Sequence, residues 1–314
     1  MRRVWIALLI GSFGWGTAGV ATRLVLDDGV EPFTVATLRA AIAALVVIGF
    51  LVVRRTPFPR GIALRVGVVM GVTSVAVPYL TSNVALQHAS AGFVGVTTAL
   101  IPLLTAVLAH FFLVGERLSA FRLVGLLAGF VGVTLLMISG DSGLADGGQP
   151  VLAGVLSLIG VVSIAVGSVY AKRHAGGYDP FEVVGVQFVS GTAIMVVATV
   201  LTEGALPLSL GGGSWALLVY MGVVSTFVPF ALYYWMLRRA SATFASMAGY
   251  LVPPIAVVSG IVFLSERLEK GIILGGLVIL AGVILGDRAE RRSGGVERAG
   301  ASGPMSPPGS PTGS

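Results

Sequence analysis

The chain contains two copies of one sequence pattern, and this duplication constrains its fold more than any other feature. The segments 78–118 and 229–268 share prolines, a small-residue loop and the same ending. Three matched pairs lie 151 residues apart: Pro78 and Pro229, Ala89 and Ala240, and Pro102 and Pro253. A repeat of this length indicates that each half of the chain is one structural unit. The sequence therefore predicts a first repeat at 1–140, a second repeat at 150–288 and a disordered cytoplasmic tail at 289–314.

The composition is that of a membrane protein. The chain is 55% hydrophobic and 11% charged, whereas a soluble domain carries about 25% charged residues. A transmembrane helix needs about 20 apolar residues. Ten runs approach that length: 4–22, 33–53, 62–86, 91–113, 121–139, 151–171, 181–201, 215–237, 243–264 and 271–287. With five runs in each repeat, the sequence predicts an all-α membrane protein of ten transmembrane helices, surrounded by the lipid bilayer.

The positions of the basic residues predict the side of the membrane on which each loop lies. With the N-terminus inside, sixteen Lys and Arg fall on the inner side and three on the outer side. Loops rich in Lys and Arg stay in the cytoplasm, so both termini are predicted to be cytoplasmic, in a protein of the cell inner (plasma) membrane. Because five is an odd number, the second repeat must enter the membrane inverted relative to the first. Inverted repeats are typical of alternating-access transporters.

The residues that the sequence lacks argue against several kinds of function. All fourteen Asp and Glu lie in predicted loops, at helix ends or in the tail, so no carboxylate at mid-membrane can hold a lipophilic cation. The chain has no cysteine, its three histidines stand at no metal-ligand spacing, and no hydrolase, metalloprotease or phosphate-loop motif occurs. We therefore predict no catalytic residue, no metal and no cofactor. The basic residues set topology, so no nucleic-acid partner is predicted either.

One charge is embedded in a predicted helix. Arg39 lies six residues inside the run that begins at residue 33, roughly 9 Å from its outer end. Its repeat partner is Gln187. A charge within the membrane is costly and marks a functional position by default, here an anchor for a substrate carboxylate. The alternative is that Arg39 reaches outward to the acidic loop at 27–31 or braces backbone carbonyls.

Matched prolines predict where helices are broken. Pro102 lies mid-membrane in the fourth predicted helix, and Pro253 and Pro254 lie at the same depth in the ninth. A proline leaves the carbonyl four residues earlier without its helical partner. Broken helices at matched depths in two repeats point to a binding site, although kinks that serve only shape are the alternative. Pro78 and Pro229 form a second matched pair, with the same predicted role in helix kinking or gating.

Polar and aromatic side chains recur at helical spacing near these prolines. Tyr79 and Asn83 share one face of the third predicted helix, and Tyr250 lies on the ninth. Such residues avoid lipid, so they are predicted to line a cavity. The alternatives are hydrogen bonds between helices and aromatic belts at the membrane surface. Glu116 and Glu266 stand at matched helix ends, where each is predicted to tie a loop to a neighbouring helix, with gating as a second role.

Glycines spaced four residues apart, such as Gly67 and Gly71, predict close contact between helices. Packing within the chain is the first interpretation of this pattern. A homodimer contact is the alternative.

Three features recur together: the spacing of Pro32 and Arg39, the Ala-Ser-Ala loops before proline-bearing helices, and the endings at 115–118 and 265–268. With the duplicated five-helix unit, they resemble the drug/metabolite transporter superfamily, in its ten-helix branch with two EamA-type repeats. The resemblance covers about residues 4–287. It implies inner-membrane exporters of amino acids and related metabolites, with a central cavity lined by helices 1, 3, 4, 6, 8 and 9. In this sequence those helices bring seven side chains: Trp15, Tyr79, Asn83, Thr98, Ser163, Tyr234 and Tyr250.

The sequence thus predicts a secondary transporter that works by alternating access and exports amino acids or related small zwitterionic or neutral metabolites. Arg39 and Gln187 join the seven residues above as predicted substrate-binding positions. Arg39 suits a carboxylate, and aromatic faces suit an ammonium group. An exporter of amphiphilic drugs or other metabolites is the alternative. A membrane scaffold without transport is a more remote one.

Overall fold

The regular secondary structure in the described part of the chain is entirely helical. The structure is a computed structural model, and it describes residues 2–284 except 58, 115–117, 119, 141, 145–147, 175–179, 208, 238, 240–247, 268 and 283. Its α-helices are α1 (Arg2–Gly16), α2 (Ala18–Asp27), α3 (Pro32–Val53), α4 (Ile62–Gly71), α5 (Val77–His88), α6 (Ala91–Thr97), α7 (Ile101–Phe112), α8 (Ala120–Ile138), α9 (Pro150–Arg173), α10 (Pro180–Thr202), α11 (Gly212–Gly222), α12 (Val228–Leu237), α13 (Ala248–Leu264) and α14 (Lys270–Gly282). No strand occurs among these residues. The tail predicted at 289–314 lies outside them, so its disorder stays a prediction.

An apolar helix overlaps each of the ten predicted runs. Seven helical stretches are long and apolar enough to cross a membrane, and three shorter apolar helices lie at Leu123–Ile138, Leu251–Leu264 and Lys270–Gly282. Large apolar side chains such as Leu45 and Leu201 are 70% and 79% exposed, as expected where helices face lipid. The all-helical membrane class is therefore confirmed. The crossing of the bilayer by all ten runs stays a prediction.

Each half contains a π-helical turn directly before a matched proline. The first π-turn spans Val72–Ala76 and precedes Pro78, and the second spans Val223–Phe227 and precedes Pro229. A proline has no N–H, so the carbonyl four residues earlier loses its α-helical partner. The backbone closes wider bonds instead: Val77 N to Val72 O, and Val228 N to Val223 O. Such turns are rare and frequently lie at functional sites.

The other matched prolines differ between the halves. Pro102 follows a 3₁₀ turn at Thr98–Leu100, where the N–H of Ile101 donates to the Thr98 carbonyl that the proline would leave without a partner. Pro253 and Pro254 lie instead inside the unbroken helix α13. At this depth, therefore, the α-helix is interrupted before the proline in the first half and continues through the prolines in the second.

The two halves pack against each other in a reciprocal way. Helix α1 of the first half contacts α12 and α13 of the second, and α9 of the second half contacts α5 and α7 of the first. Two glycines let helices of opposite halves pack closely at matched prolines. A Cβ at Gly11 would lie 3.8 Å from the Cα of Pro229, and a Cβ at Gly160 would lie 3.4 Å from the Cα of Pro78. Helices α3 and α10 also pack together. These two helices bring Arg39 and Gln187 into the contact between the halves.

Glycines of the predicted four-residue pattern lie at helix contacts within the chain. Gly67 faces Val186 of α10, and Gly71 faces the backbone of the same helix. On α14, a Cβ at Gly275 would lie 2.7 Å from the carbonyl oxygen of Gly132 in α8. These contacts follow the first interpretation of the glycine pattern, packing within one chain.

Candidate functional site

A buried arginine lies between the two halves of the chain. Arg39 of α3 is 7% exposed. Its Nε donates a 3.0 Å hydrogen bond to Oγ1 of Thr226 in the second π-turn, and its guanidinium carbon lies 4.4 Å from the centre of the Tyr79 ring. Within the described residues the ion pair is that of Arg23 and Asp27, and no carboxylate pairs with Arg39. The outward reach to the acidic loop at 27–31 is therefore not adopted.

The surroundings of Arg39 favour the binding of an anion. A guanidinium cannot lose its proton in a protein, so burial leaves a full positive charge with a hydroxyl and an aromatic face beside it. An isolated buried charge costs several kcal/mol, by an order-of-magnitude account. A carboxylate can offset that cost through two parallel hydrogen bonds to the guanidinium. The role of Arg39 as an anchor for a substrate carboxylate stays a prediction.

Aromatic rings form a cluster in the same interface. The Trp15 ring lies 5.7 Å from that of Phe230 in an edge-to-face arrangement, and 6.1 Å from that of Tyr233. Phe230 also meets Phe188 of α10 edge to face at 5.6 Å. Phe230 is the repeat partner of Tyr79, so the two halves bring aromatic residues from matched positions. Their faces can receive an ammonium group or an apolar side chain.

Gln187, the repeat partner of Arg39, is buried and has no hydrogen-bond partner among the described residues. It is 1% exposed, and neither its Nε2 nor its Oε1 is paired. The repeat supplies a reason, because the residue that matches Thr226 in the first half is Val75, which has no hydroxyl. A buried polar group without a partner costs about 1–3 kcal/mol. The interface therefore holds a charged donor on α3 and an unused amide on α10.

Three other predicted residues use their polar atoms on backbone carbonyls. The Asn83 amide donates to the carbonyl of Pro32 at 3.1 Å, and the Ser163 hydroxyl donates to the Thr73 carbonyl of the first π-turn at 2.9 Å. The Thr98 hydroxyl donates to the carbonyl of Gly95 at 2.7 Å. For Asn83 this is the interhelical hydrogen bond that the sequence offered as the alternative to a cavity, and Ser163 also makes a bond between helical segments. Their part in substrate binding stays a prediction.

Several predicted positions lie outside what the structure describes. The side chains of Tyr234 and Tyr250 and the whole of Glu116 are among them.

The kink prolines are described and divide into two groups: Pro78, Pro229 and Pro253 are buried, while Pro102 and Pro254 are exposed.

At one end of the molecule, carboxylates of the second half bind the starts of first-half helices. The carboxylate of Glu266 accepts hydrogen bonds from the N–H groups of Ala91 at 2.6 Å and Gly92 at 3.3 Å, at the start of α6. Glu203 does the same at the start of α3, where it accepts from the N–H groups of Phe33 and Thr34, both at 2.7 Å. Helix N-termini favour anions because their first N–H groups are unpaired and their dipole is positive. We call this the carboxylate end. Its hydrogen bonds join the two halves.

Burial raises the pKa of the Glu266 carboxyl above its usual value of 4.5, although the N–H groups of Ala91 and Gly92 and the charge of Arg23 oppose the shift. An acid with a raised pKa stabilises the folded protein most at low pH, and this contribution is lost as the pH rises through the folded-state pKa. We expect the unfolding temperature of the wild type to fall over that range more than that of Glu266→Gln, which cannot ionise. Thermal unfolding in detergent at a series of pH values measures this difference. Parallel profiles for the two proteins would contradict it.

The opposite end of the molecule contains a cavity of about 490 Å³. We call it the arginine end, because three arginines line the cavity, one in α1 and the others just after α3 and α12. Its walls are formed by Arg3, Ile6, Ala7, Ile10, Phe50, Arg54, Ala231, Leu232, Trp235 and Arg239. Seven of the nine predicted substrate-binding residues have described side chains, and none of these seven lines the cavity. Phe50 and Ala231 also line a small apolar gap of about 10 Å³, together with Phe227 and Phe230.

The sequence did not single out Thr226, Glu203 or this cavity. Thr226 lies 187 residues from Arg39 along the chain, and no local pattern links them. The sequence did indicate that the helix is disturbed around Thr226, because this residue lies three positions before the matched Pro229 and a proline disturbs the preceding turn. Glu203 carried no signal, since a loop glutamate has many roles.

Comparison with known proteins gives matches over nearly the whole chain. The model of the EamA-like transporter family matches residues 3–138 and 151–286. A WAT1-related chloroplastic protein of Arabidopsis thaliana is 30% identical over 292 residues, which cover 90% of this chain and 68% of that protein. A Streptantibioticus cattleyicolor protein named "probable terminal-alkyne amino-acid exporter" is 27% identical, over 91% of this chain and 94% of its own length.

The fold also has a counterpart among solved structures. A crystal structure superimposes with a TM-score of 0.62, covering 93% of this chain and 99% of the other, at 22% sequence identity. This likeness concerns the fold.

Proposed function

Because the chain belongs to the EamA-like transporter family, we propose that it is a secondary transporter that works by alternating access and exports amino acids or related small zwitterionic or neutral metabolites. The observation that carries the substrate class is Arg39. A buried guanidinium that pairs with no carboxylate of the described residues, next to the Tyr79 ring, suits the carboxylate of an amino acid. The name of the Streptantibioticus cattleyicolor relative supports the same class.

The location of Arg39 supports a mechanism in which the halves move. Its partners come from both repeats, Tyr79 from the first and Thr226 from the second. A ligand bound there touches both halves and can therefore favour one relative arrangement over another. Transport then follows if the bound substrate is released to the other side after the halves change their arrangement.

The difference between the two ends supports a state that is open on one side. Glu203 and Glu266 join the halves at the carboxylate end, while at the arginine end a cavity of about 490 Å³ lies between helices of both halves. Loops rich in arginine lie in the cytoplasm, so we assign the arginine end to the inner side of the plasma membrane. The chain then faces inward, which is the state in which an exporter takes up its substrate.

The reciprocal helix contacts support an inverted duplication of two five-helix repeats. Helices α1 and α9 occupy matched places in the two halves, and each packs against the matched helices of the other half. An antiparallel arrangement about an axis in the membrane plane accounts for both the reciprocity and the opposite charge bias of matched loops. Both termini then lie in the cytoplasm.

The test is counterflow into proteoliposomes that contain the purified protein. We expect unlabelled amino acids to drive accumulation of a labelled one, and we expect the methyl esters of the same amino acids to fail. The ester keeps the side chain and the ammonium group but lacks the anionic carboxylate, so it is a matched control for the contact with Arg39. Esters that exchange as well as the acids would contradict the anchor. Amino acids that never exchange would contradict the substrate class.

The alternative, an exporter of amphiphilic drugs, rests on the cavity at the arginine end, whose walls are mostly apolar. It predicts that an amphiphilic dye, and no amino acid, exchanges in the same assay. The absence of a mid-membrane carboxylate from the sequence disfavours cationic members of that class.

A further inference from the structure

The cavity at the arginine end combines positive charge with apolar walls. Arg3 of α1, Arg54 after α3 and Arg239 after α12 bring three guanidinium groups, and the described lining contains no acidic residue. Arg54 lies over the Phe50 ring at 5.6 Å and Arg239 over the Trp235 ring at 4.6 Å. The remaining walls are apolar. A ligand that matches both parts has an anionic head and a hydrocarbon chain.

The exposure of α1 indicates that the cavity opens toward the bilayer. Ile6 and Ile10, which line it, are 46% and 49% exposed. Their neighbours Leu9 and Phe13 on the same helix are 54% and 51% exposed. Exposed apolar side chains on a helix of a membrane protein face lipid, which is as apolar as they are. A lipid can therefore enter the cavity sideways, without leaving the membrane.

We propose that this cavity binds an anionic phospholipid. Its phosphate lies among Arg3, Arg54 and Arg239, and the first part of an acyl chain lies against Ile6, Ile10 and Phe50. Basic pockets between helices at the cytoplasmic surface bind acidic headgroups, because the charges of the lipid and the arginines attract in a poorly screened place. Electrically neutral headgroups lack this attraction.

A lipid in this position also bears on the motion of the chain. Helices α1 and α3 belong to the first half and α12 belongs to the second, so one bound molecule contacts both halves. A ligand that binds one arrangement better than another shifts the population toward it. The lipid should therefore stabilise the arrangement that is open at the arginine end.

The test measures lipid binding directly and does not depend on transport. Purified protein in a neutral detergent is titrated with phosphatidylglycerol, with phosphatidylcholine and with inorganic phosphate, and both native mass spectrometry and the unfolding temperature are followed. We expect phosphatidylglycerol to bind and raise the unfolding temperature, since a ligand of the folded state stabilises it. We expect no such shift with phosphatidylcholine or with phosphate alone. An equal effect of phosphate would contradict the lipid assignment, because a free anion would then suffice.

Two triple variants of equal charge distinguish the cavity from general surface attraction. Arg3→Gln/Arg54→Gln/Arg239→Gln removes the cavity arginines, and Arg55→Gln/Arg60→Gln/Arg65→Gln removes three arginines that do not line the cavity. We expect the first to weaken phosphatidylglycerol binding by at least about tenfold and the second to weaken it by less than about threefold, because each contacting arginine contributes roughly fivefold. Equal losses would overturn the proposal. Should the first variant fail to fold, the corresponding triple lysine variant keeps the charge, and we expect it to retain binding.

Discussion

Transport by an Arg39→Met/Thr226→Val protein is expected to fall by at least about tenfold while its unfolding temperature stays close to that of the wild type. The transport loss follows from the missing anchor, since a hydrogen-bonded contact with a charged group contributes about 1.5–3 kcal/mol, or roughly ten- to hundredfold. The stability is preserved because both members of a buried polar contact are replaced by apolar groups of similar size, a change that is nearly neutral. Methionine also removes a buried charge that has no ion-pair partner in the part of the chain that the structure describes.

The two single variants distinguish a role of Arg39 in substrate binding from a role in holding the helices together. Thr226→Val keeps the guanidinium, so we expect transport to fall by less than in the double variant, although the charged Arg39 donor loses its hydroxyl acceptor. Arg39→Met alone removes the Nε–H that donates to the Thr226 hydroxyl. This single variant is therefore expected to be less stable than the double variant. Counterflow in proteoliposomes and thermal unfolding in detergent measure the two quantities. A double variant that unfolds at a clearly lower temperature and transports normally would mean that Arg39 braces the helices.

The second large effect is expected at Gly71. A Cβ there would lie 2.8 Å from both the Gln187 carbonyl oxygen and the Gly191 nitrogen, and it would collide with Ser190 Oγ. Backbone atoms of a packed helix cannot turn aside, so α4 and α10 must separate. We expect Gly71→Ala to lose about 1–3 kcal/mol, the usual cost of overpacking a filled interior. Thermal unfolding and the monodispersity of the purified protein report this loss.

Gly49 of α3 supplies the matched control. A Cβ at Gly49 would meet nothing within 4 Å, so Gly49→Ala tests the helix propensity alone and should stabilise the chain by up to about 1 kcal/mol. Gly222 is the repeat partner of Gly71, and a Cβ there would lie 3.1 Å from the carbonyl oxygen of Arg39. We expect Gly222→Ala to behave like Gly71→Ala. Equal effects at Gly49 and Gly71 would show that packing against α10 is not the cause.

The matched glycines also show how far the repeat predicts contacts. Gly71 lies against the carbonyl of Gln187, and Gly222 lies against that of Arg39, so the backbone contacts follow the duplication closely. The side chains do not. Arg39 binds Thr226, whereas Val75 stands at the matching position of the other half and Gln187 is left without a partner. Duplication fixes backbone geometry through common helix lengths and small residues, while single substitutions since then have made the two halves chemically different.

The sequence by itself determined the features that depend on local chemistry. Apolar runs of membrane-spanning length indicated the helical membrane class. The missing N–H of Pro78, Pro102 and Pro229 marked three disturbed turns, whereas Pro253 and Pro254 lie inside an unbroken helix. The intramembrane position of Arg39 was visible in the same way, because the cost of a charge in an apolar run is independent of its partners. The repeat itself was visible because its matched residues stand at constant separation.

Only the tertiary structure decided which of these groups meet. The partner of Arg39 lies 187 residues away, and Glu266 reaches α6 across 175 residues. The arginines of the cavity come from α1 and from the segments that follow α3 and α12. Such contacts depend on how helices of two halves pack, and that packing is set by the summed shape of many side chains rather than by any local pattern. For the same reason, the hydrogen bonds at the carboxylate end and the cavity at the arginine end could be recognised only once the helices were placed in space.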